Sequence, residues 1–204
     1  MRTIENTIPG YRIFEYQLLL NPPDALRSRI FEVKKIFAEK FKLAPAYQGK
    51  PQILLTSFVQ YELFEERIIN RLSQVALGFH PIQIQIKDFG SFPTHTIILN
   101  VPSKPAIQTL VKSIRTEAQR LLKLDNDNKP LFFLEPHITI ARKLSPWQYE
   151  QGWKEYQHHH FNGKFIADSM LLLKRPLHGM KYEVLKRFEF MNMSVTTTQG
   201  ALFM

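Results

Sequence analysis

In the run Glu135-Pro136-His137-Ile138-Thr139-Ile140-Ala141-Arg142 an imidazole and a hydroxyl stand two residues apart. In an extended strand residues i and i+2 point to one face, so His137 and Thr139 project together while Ile138 and Ile140 turn into a core. Imidazole exchanges protons near neutral pH, and a threonine hydroxyl can donate to a phosphate oxygen. The pair therefore suits proton transfer beside a bound phosphate. Taken alone, the same tripeptide reads more readily as a half-buried strand with two polar residues in solvent. An earlier run, Lys50-Pro51-Gln52-Ile53-Leu54-Leu55, repeats the frame with Gln52 and Leu54 in the two positions. Glutamine has no accessible pKa, although its amide can donate, and leucine has no hydroxyl. Thr56 is expected on the same strand face, ~7 Å further along.

The elements that carry these residues follow from periodicity. Residues 11–20, closed by Asn21-Pro22-Pro23, read as a strand, and an amphipathic helix begins near Asp24, with Leu26, Ile30, Val33, Ile36, Phe37 and Phe41 as its apolar stripe. A strand over 53–59 leads into a second helix through Ile68, Leu72 and Val75 to Gly78. The alternation of Ile82, Ile84 and Ile86, then a strand over 96–101, predicts an antiparallel pair. A third helix spans about 105–122, a strand 132–141, and Ser145-Pro146 starts a short fourth helix. Strands over 164–173 and 182–190 close the pattern. Strand, helix and strand thus occur twice, from Gln52 to Ile82 and from His137 to Lys164. The pattern predicts one domain over 1–192 and a loose tail over 193–204.

Composition narrows the chemistry. The chain has 204 residues and no cysteine, which excludes disulfides, thiolate metal sites and cysteine nucleophiles. Its 27 Lys and Arg against 18 Asp and Glu leave a net charge of +9, an excess suited to polyanions such as nucleic acid or phosphorylated small molecules. The apolar run Leu18-Leu19-Leu20 is too short for a signal peptide or a membrane span, so a cytoplasmic, soluble, monomeric protein is expected. The run His158-His159-His160 lacks an acidic or cysteine partner, and no metal or cofactor is expected. Lys174 and Arg175, at a strand end, are candidates for phosphate contacts, and Tyr16 and Phe92 for stacking on a base.

The 135–142 run resembles the C-terminal signature of the 2H phosphoesterases, the group that includes the 2′-5′ RNA ligase-like proteins. Ser169-Met170-Leu171-Leu172-Leu173-Lys174-Arg175, the segment 182–188 and the order of elements across 11–190 are similar to that family too. The resemblance implies an α+β fold of two pseudo-symmetric lobes of antiparallel sheet plus helices around a central cleft, each lobe giving one His-x-Thr/Ser strand. It implies metal-free acid/base chemistry by two histidines on a 2′,3′-cyclic phosphate or 2′-5′ phosphodiester. Under it His137 and Thr139 are catalytic, and Gln52 and Leu54 stand at degenerate first-motif positions.

Three functions follow as expectations. The first is binding of a nucleotide, cyclic phosphate or RNA end with reduced or no turnover. The second is an active cyclic phosphodiesterase whose second acid/base is relocated to His80, His95 or His178. The third is a non-catalytic interaction scaffold on an old enzyme fold.

Overall fold

The computed structural model describes residues 11–43 and 49–193. Its elements run β1 (Ile13–Leu20), α1 (Asp24–Lys40), β2 (Ile53–Tyr61), α2 (Glu65–Leu77), β3 (Ile82–Phe92), β4 (Thr96–Asn100), α3 (Lys104–Leu122), β5 (Leu131–Phe132), β6 (His137–Ala141), α4 (Pro146–Tyr156), β7 (Asn162–Ala167), β8 (Ser169–Pro176) and β9 (Glu183–Glu189). A single turn of tighter helix, Glu62–Phe64, precedes α2. Proline closes β1 and opens both α3 and α4; at α4 the Ser145 side chain and Gln148 complete a reciprocal capping box.

The strands form two antiparallel sheets, sheet A in the order β5-β2-β1-β8-β9 and sheet B in the order β6-β4-β3-β7. Leaving β5 aside, β2-β1-β8-β9 matches β6-β4-β3-β7 position for position. The two motif-bearing strands, β2 and β6, occupy equivalent places, as the internal repeat requires. The lobes are nevertheless interwoven. After α2 the chain crosses into sheet B as β3, and after α4 and β7 it returns to sheet A as β8. The counterpart of β3 is therefore β8 and not the strand directly after α4, which corrects the simpler repeat read from spacing.

Two expected strands are each divided. The segment read as one strand over 132–141 is β5 in sheet A and β6 in sheet B, separated by a turn around buried Pro136, whose ring cannot extend a ladder. Likewise 164–173 is β7 in sheet B and β8 in sheet A, broken at Asp168, whose carboxylate accepts hydrogen bonds from Ser169 and Arg187.

Helices α2 and α3 pack together on one face of sheet A, while α1 lies against β6 and α4 against β4. Apolar side chains from both sheets and all four helices join in one core, including Ile30, Phe37, Leu72, Ile84, Ile114 and Leu172. Leu72, with no exposed surface on the buried stripe of α2, reports on that core. Leu72→Ala is expected to cost about 2–5 kcal/mol by urea unfolding, through lost burial and a residual cavity. A cost below ~1 kcal/mol would mean that the site collapses or was loosely packed. Beyond the core, backbone amides of Asn192 and Met193 donate to the carbonyls of Phe79 and Leu77, so Met193 is anchored; the rest of the expected tail, 194–204, lies outside the described residues. No helix among the described residues is long and apolar enough to cross a membrane.

Candidate functional site

Each sheet has one face covered by helices and one left open, and strand parity decides which side chains reach the open face. On sheet B, His137 pairs with Asn100 and Thr139 with Ile98, and both His137 and Thr139 are half-buried, between the fully covered Ile138 and Ile140. The expected alternation of this strand is what the structure contains. The ring nitrogen Nδ1 of His137 lies 2.7 Å from the carbonyl oxygen of Glu135, a contact that requires Nδ1 to carry the proton and leaves Nε2 as an acceptor. Phe92 packs edge-on against the same imidazole at 4.8 Å between ring centres. Phe92 thus fixes the ring, in place of the base-stacking role considered for it. Gly90 is required nearby, because a Cβ there would collide with the amide of Asn100, which donates to the Phe89 carbonyl at 2.9 Å.

The edge position of β6 explains a feature that periodicity did not reveal. β6 has one sheet neighbour, so part of its backbone lacks ladder partners. Lys34 of α1, only 4% exposed, donates from Nζ to the Thr139 carbonyl at 2.9 Å. Burial, with a smaller contribution from the Arg142 charge, pushes the Lys34 ammonium down to about 8. A lysine on the apolar stripe of α1 would have been the only sequence signal, and it was masked by the basic residues around it.

On sheet A the open face is set by β1. Gln17 pairs with Ser57 and Leu19 with Leu54, whereas Leu18 pairs with Thr56; an extra residue in β2 at this point forms a bulge. Gln52 and Leu54 are half-buried, and the Gln52 amide donates to the Gln17 side-chain oxygen at 3.3 Å. Because of the bulge Thr56 turns to the helix-covered face, fully buried, and its hydroxyl donates to the Leu131 carbonyl at 2.8 Å. The expectation that Thr56 could replace the missing hydroxyl is therefore corrected. Ser57 is the hydroxyl that the bulge brings to the face of Gln17 and Leu54, and no local pattern signalled it.

The four ligand-binding candidates of sheet A separate in the same way. Tyr16 is fully buried on the helix side, stacked on Phe58 at 5.0 Å, with its hydroxyl donating to Glu65 at 2.8 Å. Burial, then the Glu65 hydrogen bond and charge, raise its pKa strongly. Lys174, on that side too, donates to Glu65 at 3.0 Å and lies over the Phe14 ring; burial alone would lower its pKa, but Glu65 and Glu62 outweigh it and raise it. Both are structural, a correction to their assignment as ligand contacts. Arg175 pairs with Glu15 and shares the open face with Gln17. Its guanidinium donates to the Glu15 carboxylate at 2.6 Å and lies over the Tyr182 ring at 4.4 Å from its centre. Burial pushes the Tyr182 phenol up to about 12, while the charges of Arg175 and Arg142 pull the other way. The Arg142 charge acts on both Lys34 and Tyr182.

Strands β2 and β6 are in contact. Of the three alternative histidines, His95 is exposed and engages the Thr96 hydroxyl at 2.6 Å, and His80 and His178 are exposed. His137 itself is held by the Glu135 carbonyl and the Phe92 ring. Among the described residues no group of three His, Asp or Glu could hold a metal ion; His159 packs on Phe89 and Tyr156, and His160 meets Asp88.

Comparison with known proteins bears on this geometry. Residues 22–179 match the family described as the 2'-5' RNA ligase superfamily. A Bacillus pumilus (strain SAFR-032) protein described as "Putative phosphoesterase" is 24% identical over 131 residues, covering 64% of this chain and 71% of that protein. Among solved structures, TT0787 of Thermus thermophilus superposes with a TM-score of 0.65 at 16% identity, covering 87% of this chain and 98% of that one. E. coli LigT complexed with 3'-AMP gives a TM-score of 0.57 at 15% identity, covering 88% and 98%.

Proposed function

Since the chain belongs to the 2′-5′ RNA ligase superfamily, we propose that its open face binds a nucleotide, a cyclic phosphate or an RNA terminal phosphate and turns it over slowly or not at all. The observation that carries this reading is the asymmetry of the two equivalent strands. β6 presents an imidazole with a free Nε2 acceptor beside a hydroxyl, whereas β2 presents an amide and an isobutyl group.

The chemistry follows from that asymmetry. Nδ1 of His137 donates to the Glu135 carbonyl, so Nε2 can take a proton from a ribose hydroxyl or, when protonated, donate to a phosphate oxygen. Thr139 adds a neutral donor on the same face. Arg175 and Arg142 supply positive charge, with Arg175 partly neutralised by Glu15. At the equivalent position of β2 a second group to move the other proton is lacking: Gln52 can hold a phosphate oxygen through its amide but cannot titrate. The crystallisation of E. coli LigT with 3'-AMP, NADP+, phosphate and ATP supports ligands of this class. The cytoplasm, where RNA ends and nucleotides abound, and a monomeric state fit this role.

Titration calorimetry with uridine 2′,3′-cyclic phosphate and with 3′-AMP tests the proposal. Binding is expected for the wild type, weakened about tenfold or more by His137→Ala, the loss of one charge-assisted hydrogen bond. Unchanged affinity in a folded His137→Ala variant would show that the ligand does not use this face. Rapid hydrolysis by the wild type would favour instead a relocated second catalyst.

A further inference from the structure

Beside sheet A, α2, α3, the end of β2 and Tyr11 line an open trough of ≈ 1070 Å³. We infer that this trough is a second binding site, for the backbone of a single-stranded nucleic acid. Its walls carry Arg67, Arg71, Arg120 and Lys123 against one carboxylate, Glu117. That carboxylate meets Arg71 at 3.5 Å with both side chains more than two-fifths exposed, so it screens the basic wall weakly.

The position of the cations is informative. Arg120 and Lys123 stand at the C-terminal end of α3, where the helix dipole favours positive charge, and need no further explanation. Arg67 has no such support: it lies in the first turn of α2, where the dipole favours acids. Arg67 and Arg71 are one helical turn apart, roughly 6 Å along the axis, a spacing comparable to successive phosphates of a single strand. Aromatic residues line the same trough. The Arg67 guanidinium lies 5.7 Å from the centre of the Phe64 ring, and half-exposed Tyr11 packs edge-on against Tyr61 at 6.2 Å.

Basic walls with interleaved aromatic rings are the requirements for sequence-tolerant binding of unpaired strands, phosphates on cations and bases on rings. The floor is stiff, because the buried Gln60 amide donates to the Leu121 and Lys123 carbonyls at 3.0 and 3.1 Å and so ties β2 to the end of α3. An open trough suits a polymer passing through it better than an enclosed small molecule. The site accounts for part of the +9 charge that the open face, with its Glu15–Arg175 pair, does not use.

Fluorescence anisotropy with a short labelled oligouridylate tests this on the full chain. Arg67→Glu/Arg71→Glu/Arg120→Glu is expected to lower affinity at least tenfold and to flatten the dependence of log K on log salt by about 2, roughly 0.7 for each phosphate no longer neutralised. The triple variant is expected to leave cyclic-phosphate binding unchanged, so failure of this site is read separately from failure of the open face. Equal affinity and slope in the triple variant would overturn the inference. So would displacement by polyglutamate as effective as by unlabelled oligouridylate, which would mark a general anion surface. Where the triple variant loses the wild-type urea midpoint, Arg67→Gln alone decides: a several-fold loss supports the site, and none overturns it.

Discussion

Restoring a histidine and a hydroxyl to β2, as Gln52→His/Leu54→Thr, is expected to raise hydrolysis of a 2′,3′-cyclic nucleotide by about 10²- to 10⁴-fold, the contribution of one positioned acid/base group. The backbone is already suited to it. Gln52 and Leu54 are half-buried on the open face, and Gln52 is within hydrogen-bond reach of Gln17, so an imidazole at 52 would have an oriented partner. Leu54 lies opposite Leu19 and outside the fully buried stripe, which keeps a threonine there inexpensive in stability. Most of the gain should come from Gln52→His, because the titratable group is what the wild type lacks. His137→Ala in the restored background should return the rate to the wild-type level. A folded double variant with no gain in rate would mean that β2 and β6 do not present these positions to one substrate.

The second large effect concerns Lys34. Its folded-state pKa of about 8 lies below the ordinary 10.5, so between those values the unfolded chain holds a proton that the folded chain has released. Stability then rises with pH across that window. Read from the shift, the Lys34 contribution amounts to about 3 kcal/mol, absent below pH 8 and complete above 10.5. Tyr16 and Tyr182, whose phenols are raised, oppose this above about pH 10, when their unfolded forms ionise first. Comparison with Lys34→Met removes those common contributions. The stability difference between wild type and Lys34→Met, from urea unfolding at several pH values, should shift toward the wild type by about 3 kcal/mol between pH 8 and 10.5. At about pH 7 the two should be close, since removing a buried charge offsets the lost donor to the Thr139 carbonyl, worth about 1–3 kcal/mol. Parallel curves across the window would show that Lys34 is solvated.

The helices and the β6 face were legible because they rest on local periodicity: Leu26, Ile30 and Phe37 in α1, and His137 and Thr139 against Ile138 and Ile140, occupy the faces their spacing requires, although Ile36, expected on the α1 stripe, is exposed and Lys34 is buried instead. Non-local facts were not. Nothing in the alternation of 164–173 says that the chain changes sheets at Asp168. Nor does the run from Ile53 to Phe58 announce a bulge, yet that one extra residue buries Thr56 and exposes Ser57. Lys174 and Arg175 show the limit most directly. Strand parity says that the two diverge, but which of them meets the helices depends on α2 placing Glu65, and the turn before it Glu62, beside Lys174.

The exchange of strands between the sheets also governs how the chain is assembled on the ribosome. β1 takes β8 as a neighbour, pairing Leu19 with Leu171. At roughly 5–20 residues per second, about eight to thirty seconds pass between the synthesis of those partners. Through that interval β1 has only β2 as a native neighbour, and its other long side stays unpaired and open to wrong partners. Sheet A closes only once β8 and β9 have emerged, so its earlier strands wait longer for their partners than those of a sheet built from sequential hairpins.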